Sequence, residues 1–150
     1  MISPVTQDDL DFVYSSWLNS YAQTYYSKRP DGSVVRRTPM PKPHFFAAQQ
    51  LLIDALLKRS LCLVYRSPVD ASVIRGYAVA EKRGDGMVLH WAYTRSNRRR
   101  EGVMRALLAE LSQRLGTGVG GVYTHMRNPG CAYLDAMGFV FGPQELTVSK

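Results

Sequence analysis

Arginines gather in one short stretch of this sequence, beside a glycine at a predicted helix start. Residues 95–105 hold five arginines and one glutamate. The first N–H groups of a helix lack carbonyl partners and the helix dipole is positive there, so an anion binds favourably. Arginine adds fork-shaped donors that suit phosphate. The stretch predicts a pyrophosphate site, and the alternative is a helix that begins with glycine beside solvated arginines. The arginines are Arg95, Arg98, Arg99, Arg100 and Arg105.

Hydrophobic periodicity predicts the elements that position this stretch. Spacing of 3.6 residues predicts helices over 7–26, 43–59, 102–115 and 130–137, and short apolar or alternating runs predict strands over 61–66, 73–81, 87–94, 119–125 and 139–148. Thr6 and Asp9 predict a capping box, and Gly84-Asp85-Gly86 predicts a hairpin turn. The order of elements predicts a mixed α/β sheet domain.

Two further expectations concern a strand and a loop. In strand 87–94, simple alternation places Met87, Leu89, Trp91 and Tyr93 on one face and Val88, His90, Ala92 and Thr94 on the other. The segment 27–43 contains four prolines and several basic residues, so we expect a long basic loop there.

Composition limits the class of protein. The 150 residues predict one domain spanning 1–150, and the 45% hydrophobic and 21% charged shares are those of a globular chain. We expect no membrane span, no secretory signal and a cytoplasmic protein. Cys62 and Cys131 match no metal-binding spacing, so no metal is expected. The net charge of +7 favours an anionic ligand or nucleic acid, or else a solvated basic face.

Two motifs, which follow one another along the chain, resemble those of a known protein family. The first is Arg99-Arg100-Glu101-Gly102-Val103-Met104, between a predicted strand and helix, and the second is Asn128 followed by a short helix and Gly138-Phe139. With this pair and its order of elements, the sequence resembles the GNAT acetyltransferase superfamily. Its first helix, with the run SSWLNS, also resembles those of small phage-encoded proteins.

The resemblance implies a fold and a ligand. The fold would be a mixed, mostly antiparallel sheet flanked by helices, with a splayed pair of parallel strands that admits the pantetheine of acetyl-CoA. The implied reaction is direct transfer of the acetyl group to an amine. The resemblance places Ala92, Tyr93 and Thr94 along the pantetheine, residues 99–104 around the pyrophosphate, and Asn128 at the cofactor arm.

This sequence departs from the family pattern twice. Met104 stands where the family has glycine or alanine, and its side chain either narrows the phosphate site or turns inward along the apolar stripe of its helix. The tyrosine that the family often uses as general acid would fall at Leu134, and Tyr133 lies one residue away, which is about 100° around a helix. Tyr133 is therefore the candidate acid.

His90 is the candidate base, because it lies near the implied thioester position and an ordinary histidine titrates close to neutral pH. The alternative is a hydrogen-bonded histidine inside the sheet. We expect Glu81 at a solvated strand end, far from the thioester. His125 ends a strand and is open to either cofactor packing or catalysis, whereas Cys131 is expected to be a buried thiol.

Two competing functions remain open. The loop 27–43, with its lysines and arginines, could follow the phosphates of a nucleic acid such as tRNA in a protein of the same fold. Alternatively, Met104 and the displaced Tyr133 could mark a chain that has kept the fold as a binding or structural module. The acceptor could be a small molecule, a protein or tRNA.

Overall fold

The computed structural model describes most of the chain, in two compact units. The first unit comprises Met1–Val5 and Arg59–Lys150, and the second comprises Thr6–Lys58. The described residues are 1–28, 30–36, 40–95, 102–118, 120–125 and 131–143.

The unit Thr6–Lys58 is mostly helical. Its main elements are a 3-10 helix Gln7–Asp9, α1 Leu10–Tyr25, β2 Tyr26–Lys28, β3 Val34–Arg36 and α2 Lys42–Arg59, whose last residue belongs to the first unit. The predicted capping box is confirmed: the Thr6 backbone N–H donates to Asp9 Oδ2 at 2.8 Å. This bond satisfies a donor that the helix start leaves open.

The prediction of a long loop over 27–43 is wrong in part. β2 and β3 form a small antiparallel hairpin inside it. Its turn is closed by Asp31, whose side chain accepts the backbone N–H of Ser33 at 2.9 Å, and Gly32 adopts φ +90°. Asp and Gly are typical turn residues for these reasons, and the β-branched Val34 and Val35 favour a strand after it.

The first unit is built on a six-stranded mixed sheet. Its strands are β1 Ile2–Pro4, β4 Leu61–Arg66, β5 Ile74–Arg83, β6 Gly86–Thr94, β7 Gly121–Tyr123 and β8 Phe139–Phe141, and they lie in that order. The pairs from β1 to β6 are antiparallel, whereas β6–β7 and β7–β8 are parallel. The fold class is thus confirmed, with an N-terminal strand that the sequence did not predict. Three residues that include a proline are too short for a detectable period, and proline is tolerated at a sheet edge.

The remaining predicted elements are found with shifted ends. The hairpin turn consists of Gly84 and Asp85, with Gly84 at φ +58°. α3 spans Val103–Leu115 and ends at Gly116, while α4 spans Cys131–Ala136. The strand expected over 119–125 is shorter, and the extended segment 139–148 lies outside the described residues after 143.

α3 packs against one face of this sheet. Its Leu107, Leu108 and Leu111 are fully buried in one cluster with Leu63 and Leu89 of the strands. Burial of each such leucine stabilises the fold by about 1.5–3 kcal/mol. This apolar contact fixes where the helix begins relative to the end of β6.

The predicted assignment of side chains to the two faces of β6 is wrong beyond Leu89. Val79 pairs with Trp91 but Ala80 pairs with Leu89, so His90 is an extra residue in β6. Such a bulge shifts the alternation of every later side chain. Leu89 and Ala92 therefore both lie against the α3 cluster.

Trp91 and Tyr93 consequently lie on the opposite face of the sheet. There the Trp91 indole N–H donates to the Tyr77 hydroxyl at 3.1 Å, and the rings of Tyr77 and Tyr93 stack with centroids 5.5 Å apart. The prediction that Trp91 and Tyr93 share a face with Leu89 failed because a bulge leaves no mark in the hydrophobic pattern.

The parallel pairing of β6 with β7 depends on Gly121. A Cβ at this position would lie 2.2 Å from the carbonyl oxygen of Met87, its partner in β6. We therefore expect Gly121→Ala to destabilise the protein by about 3 kcal/mol, since neither backbone can move without loss of sheet hydrogen bonds. Chemical denaturation measures this change.

Gly118→Ala is the matched control. A Cβ there meets nothing within 4 Å, so the same substitution should change the free energy of unfolding by at most about 0.5 kcal/mol. Equal stabilities of the two variants would contradict the close approach of β7 to β6.

Candidate active site

β6 and β7 part in the middle of the sheet. Their pairing runs from Met87–Gly121 to Leu89–Tyr123, and the last bond between them runs from the Thr124 N–H to the Leu89 carbonyl at 3.0 Å. β6 continues to Thr94, and beyond the fork β5 is its only strand partner in the described part of the chain. We call this point the fork.

The fork is where the resemblance places the pantetheine. Ala92, Tyr93 and Thr94 lie on the part of β6 beyond the fork, as expected from their order. A strand edge without a neighbouring strand can hydrogen-bond an extended ligand that carries amides.

α3 begins directly after Gly102. Gly102 is its N-cap at φ +73°, a conformation that glycine adopts at low cost, and a Cβ there would meet no atom of the described residues within 4 Å. The first turn contains no acidic residue, and Arg105 is exposed within it. A positive charge at this end opposes the helix dipole, so a bound anion would be doubly favourable.

Met104 does not project away from the core at this helix start. Its side chain packs against the core cluster under α3, as does Val103, which is buried. Of the two possibilities raised by the sequence, the structure favours the inward one.

Arg95 has a different place from the one expected. Its Nε donates to the carbonyl oxygen of Ile74 at 2.5 Å, and its backbone N–H donates to the Arg75 carbonyl at 2.9 Å. Arg95, one of the five arginines of the predicted pyrophosphate site, thus connects the end of β6 to β5 through hydrogen bonds.

Several predicted site residues lie outside the described residues. These are Arg98, Arg99, Arg100, Glu101 and Asn128. Tyr133 lies in α4, whose backbone is described, but its side chain is not. Its neighbour Leu134 is buried in the core cluster, so a tyrosine at that position would point into the core.

His90 is fully buried and bonded through both ring nitrogens. Nε2 lies 2.7 Å from Glu81 Oε2, and Nδ1 lies 2.9 Å from Thr124 Oγ1. His90 stays on the face of Val88 and Glu81, whereas the bulge moves Ala92 to the α3 face. The expectation that His90 shares a face with Ala92 is therefore wrong.

Glu81 is the residue that the sequence reading misplaced. It pairs with Val88 as the register of a two-residue turn requires, and its side chain is 13% exposed rather than solvated. Arg59 lies 2.8 Å and Arg83 lies 3.1 Å from its carboxylate oxygens. The register of the turn places Glu81 beside Val88, and alternation places His90 on the same face, so this signal in the sequence could have located Glu81 near His90.

The charged groups around Glu81 determine the protonation state of its carboxyl group. Burial alone would raise its pKa, but hydrogen bonds from Arg59 and His90 and the charge of Arg83 hold that pKa below the ordinary value. Burial also lowers the pKa of His90, although Glu81 opposes the shift. Near neutral pH the pair is therefore a carboxylate and a neutral imidazole.

His125 lies beside this network. It is 5% exposed, and its ring packs edge-on to Trp91 and at a tilt to Tyr123, with centroids 5.4 Å and 5.2 Å away. Burial, together with the nearby His90, lowers the pKa of His125 to about 4. It is thus neutral and packed with aromatic side chains, while cofactor packing and catalysis both stay predictions for His125.

A separate polar cavity lies within the helical unit. It has a volume of about 540 Å³ between α1 and α2, and Tyr14 and Asp54 hydrogen-bond at its edge. Burial and the Asp54 carboxylate raise the pKa of Tyr14 to about 12. Asp11 also lines it, which gives the cavity an acidic character.

The described residues contain neither a membrane-spanning helix nor a cluster of metal ligands. None of the described helices is long and apolar enough to cross a membrane. Within the same residues, no three His, Cys, Asp or Glu side chains come together as metal ligands would.

No protein-family model matches the sequence, and no curated protein is significantly similar to it. Solved structures, in contrast, share its fold. A putative acetyl transferase from Pyrococcus furiosus superposes with a TM-score of 0.62 at 13% identity, over 93% of each chain.

Two other acetyltransferases are also similar. One is the ribosomal-protein-alanine N-acetyltransferase from Brucella melitensis, with a TM-score of 0.53 and 20% identity over 92% of this chain and 89% of that one. The other, histone acetyltransferase HPA2 and related acetyltransferase from Corynebacterium glutamicum, has a TM-score of 0.53 and 18% identity over 76% and 70%. At such identities the likeness establishes the fold alone: this chain has the fold of the GNAT acetyltransferases.

Proposed function

We propose that this protein is an N-acetyltransferase that moves the acetyl group of acetyl-CoA directly to an amine. The observation that carries the proposal is the fork between β6 and β7, which lies beside the N-terminus of α3 in a fold shared with acetyltransferases. Fold alone does not imply function, so the site must also be able to bind acetyl-CoA.

The described residues fit acetyl-CoA. The edge of β6 at Ala92, Tyr93 and Thr94 would take the pantetheine amides, and Gly102 and Val103 would offer backbone N–H groups to the pyrophosphate. With Met104 packed inward, no atom of the described residues would lie within 4 Å of a Cβ at Gly102. In this proposal Arg99, Arg100 and Glu101 complete the phosphate loop, and Asn128 contacts the cofactor arm.

Acetyl-CoA and the protein contribute different parts of the reaction. Acetyl-CoA supplies an activated acyl group with a thiolate leaving group. The protein holds the two reactants together, which by itself removes much of the entropic barrier. It must also accept a proton from the acceptor ammonium, for which the buried, neutral His90 is the proposed base. Tyr133 is the proposed acid for the thiolate.

The first test is binding. Calorimetry with acetyl-CoA should give a micromolar Kd, equivalent to about −8 kcal/mol. Arg99→Glu should weaken this binding strongly, because the substitution replaces a phosphate donor with a like charge. The absence of heat and of any thermal shift at millimolar acetyl-CoA would contradict the proposal and favour a structural module.

Arg36→Glu is the control for net charge. It makes the same charge change in β3, away from α3 in sequence, and should leave acetyl-CoA affinity nearly unchanged. If both variants weaken binding equally, a general effect of positive charge explains it. Nucleic-acid binding through residues 27–43 stays a prediction that no contact among the described residues favours.

The second test concerns His90. Glutamine retains much of the size and hydrogen bonding of histidine but cannot accept a proton at neutral pH. His90→Gln should lower turnover by about 10²–10⁴-fold, the usual value of general-base assistance, with acetyl-CoA affinity almost unchanged. If affinity falls together with turnover, His90 supports the shape of the fork instead.

A further inference from the structure

Glu81, His90 and Thr124 form a continuous hydrogen-bonded chain that ends at the fork. The two links measure 2.7 Å and 2.9 Å, and the three residues come from β5, β6 and the position after β7. Val88, the partner of Glu81, precedes the fork, whereas the Thr124 N–H makes the last bond across it. The chain therefore runs from the paired part of the sheet to the place where the strands separate.

The protonation of Glu81 gives this chain a direction. An ionised carboxylate only accepts hydrogen bonds, so Nε2 of His90 must carry the proton that bonds to Glu81. In a neutral imidazole the other nitrogen, Nδ1, is then an acceptor. The Thr124 hydroxyl consequently donates to Nδ1.

Hydrogen bonding decides which member of the chain can meet the acceptor. His90 has no exposed surface, and protein groups engage both of its nitrogens. A substrate amine therefore cannot reach either nitrogen without displacing a partner. Thr124 is also buried, but a hydroxyl that donates to Nδ1 keeps lone pairs that can accept a proton, and Thr124 lies at the fork.

We propose that Thr124 is the catalytic residue that takes the proton from the acceptor ammonium and passes its own hydroxyl proton to His90. Glu81 and His90 are then positioning residues that act through Thr124. This inference rests on the proposed acetyltransferase function and replaces direct contact between His90 and the amine.

Two protons leave the amine nitrogen during the reaction. The first moves from the ammonium to Oγ1 of Thr124 while the hydroxyl proton moves to Nδ1 of His90, which leaves an imidazolium hydrogen-bonded to the Glu81 carboxylate. The freed nitrogen lone pair forms the N–C bond to the thioester carbonyl. The C–S bond breaks with its electrons on sulfur, and the sulfur receives a proton from Tyr133, which takes up the second amine proton in exchange. Return of the His90 proton through Thr124 to solvent restores the resting state.

The groups that face His90 set its pH response. Glu81 stabilises the imidazolium, whereas Arg59, Arg83 and burial oppose it. His125, the other titratable neighbour, is itself neutral near physiological pH because burial lowers its pKa to about 4. Activity should therefore rise with pH only below the ordinary histidine range and be flat at neutral pH.

Two acceptors separate proton removal from the rest of the reaction. Butylamine is an ordinary alkylammonium, with a pKa near the value of about 10.4 for lysine, and must lose a proton before it attacks. Hydroxylamine is mostly uncharged near neutral pH and needs no base. Release of the CoA thiol from acetyl-CoA measures both rates in the same assay.

Thr124→Val, which keeps the shape and removes the hydroxyl, should lower turnover with butylamine by about 100-fold or more. Turnover with hydroxylamine and affinity for acetyl-CoA should change little. Thr124→Ser, which keeps the hydroxyl, should restore most of the butylamine rate. Thermal melting identifies a temperature at which all variants are folded.

Glu81→Gln tests the far end of the chain. Loss of the carboxylate leaves the imidazolium without its stabilising charge and lowers the pKa of His90 further. The acidic limb of the butylamine profile should therefore move to lower pH as turnover falls. A residue with a purely structural role would change the rate without moving this limb.

Three results would overturn the relay. If the wild-type protein acetylates butylamine and Thr124→Val does so equally well, Thr124 carries no proton. If Thr124→Val slows both acceptors to the same extent, the hydroxyl supports structure only. A wild-type protein that acetylates neither acceptor would overturn the proposed function, and the relay with it.

Discussion

One extra residue in β6 determines the arrangement of this site. Regular pairing would place Trp91 against α3, where Ala92 now lies opposite Ala78. The bulge instead admits α3 close to the sheet over two small residues. It also brings Trp91 to the face that already carries His90, where the indole packs against His125 beside the chain of Glu81, His90 and Thr124. The packing of α3 and the aromatic packing beside the polar chain are thus consequences of the same backbone irregularity.

The polar chain persists because each buried group has a partner of suitable charge. A buried carboxylate costs several kcal/mol unless it is paired and hydrogen-bonded. Glu81 meets that requirement through Arg59 and Arg83 at its outer side and His90 at its inner side. Together, these contacts keep His90 neutral, because burial lowers the pKa of its imidazole more than Glu81 raises it. Glu81 thus offsets only part of the cost of a buried imidazolium.

The sequence predicted the elements well, because their periods and end signals are local. The capping box at Thr6, the turn at Gly84 and the end of α3 at Gly116 all depend on residues within a few positions of each other. The common face of Glu81 and His90 follows from strand alternation and the register of the turn, but the face of Ala92 could not be predicted, since it depends on a bulge whose cause lies in packing between strands. Short elements such as β1 likewise gain their stability from the sheet rather than from their own residues.

The start of α3 shows the same dependence on context. Arg105 in the first turn opposes the helix dipole, and no acidic residue there compensates it. In a protein with a net charge of +7, this arrangement costs electrostatic energy unless an anion binds. Helix formation alone would favour an acidic residue in this turn. The apolar packing of Met104 and Leu108 holds the helix in place against that cost. Stability of this helix start is thus supplied by the packing of its core face rather than by the charges of its first turn.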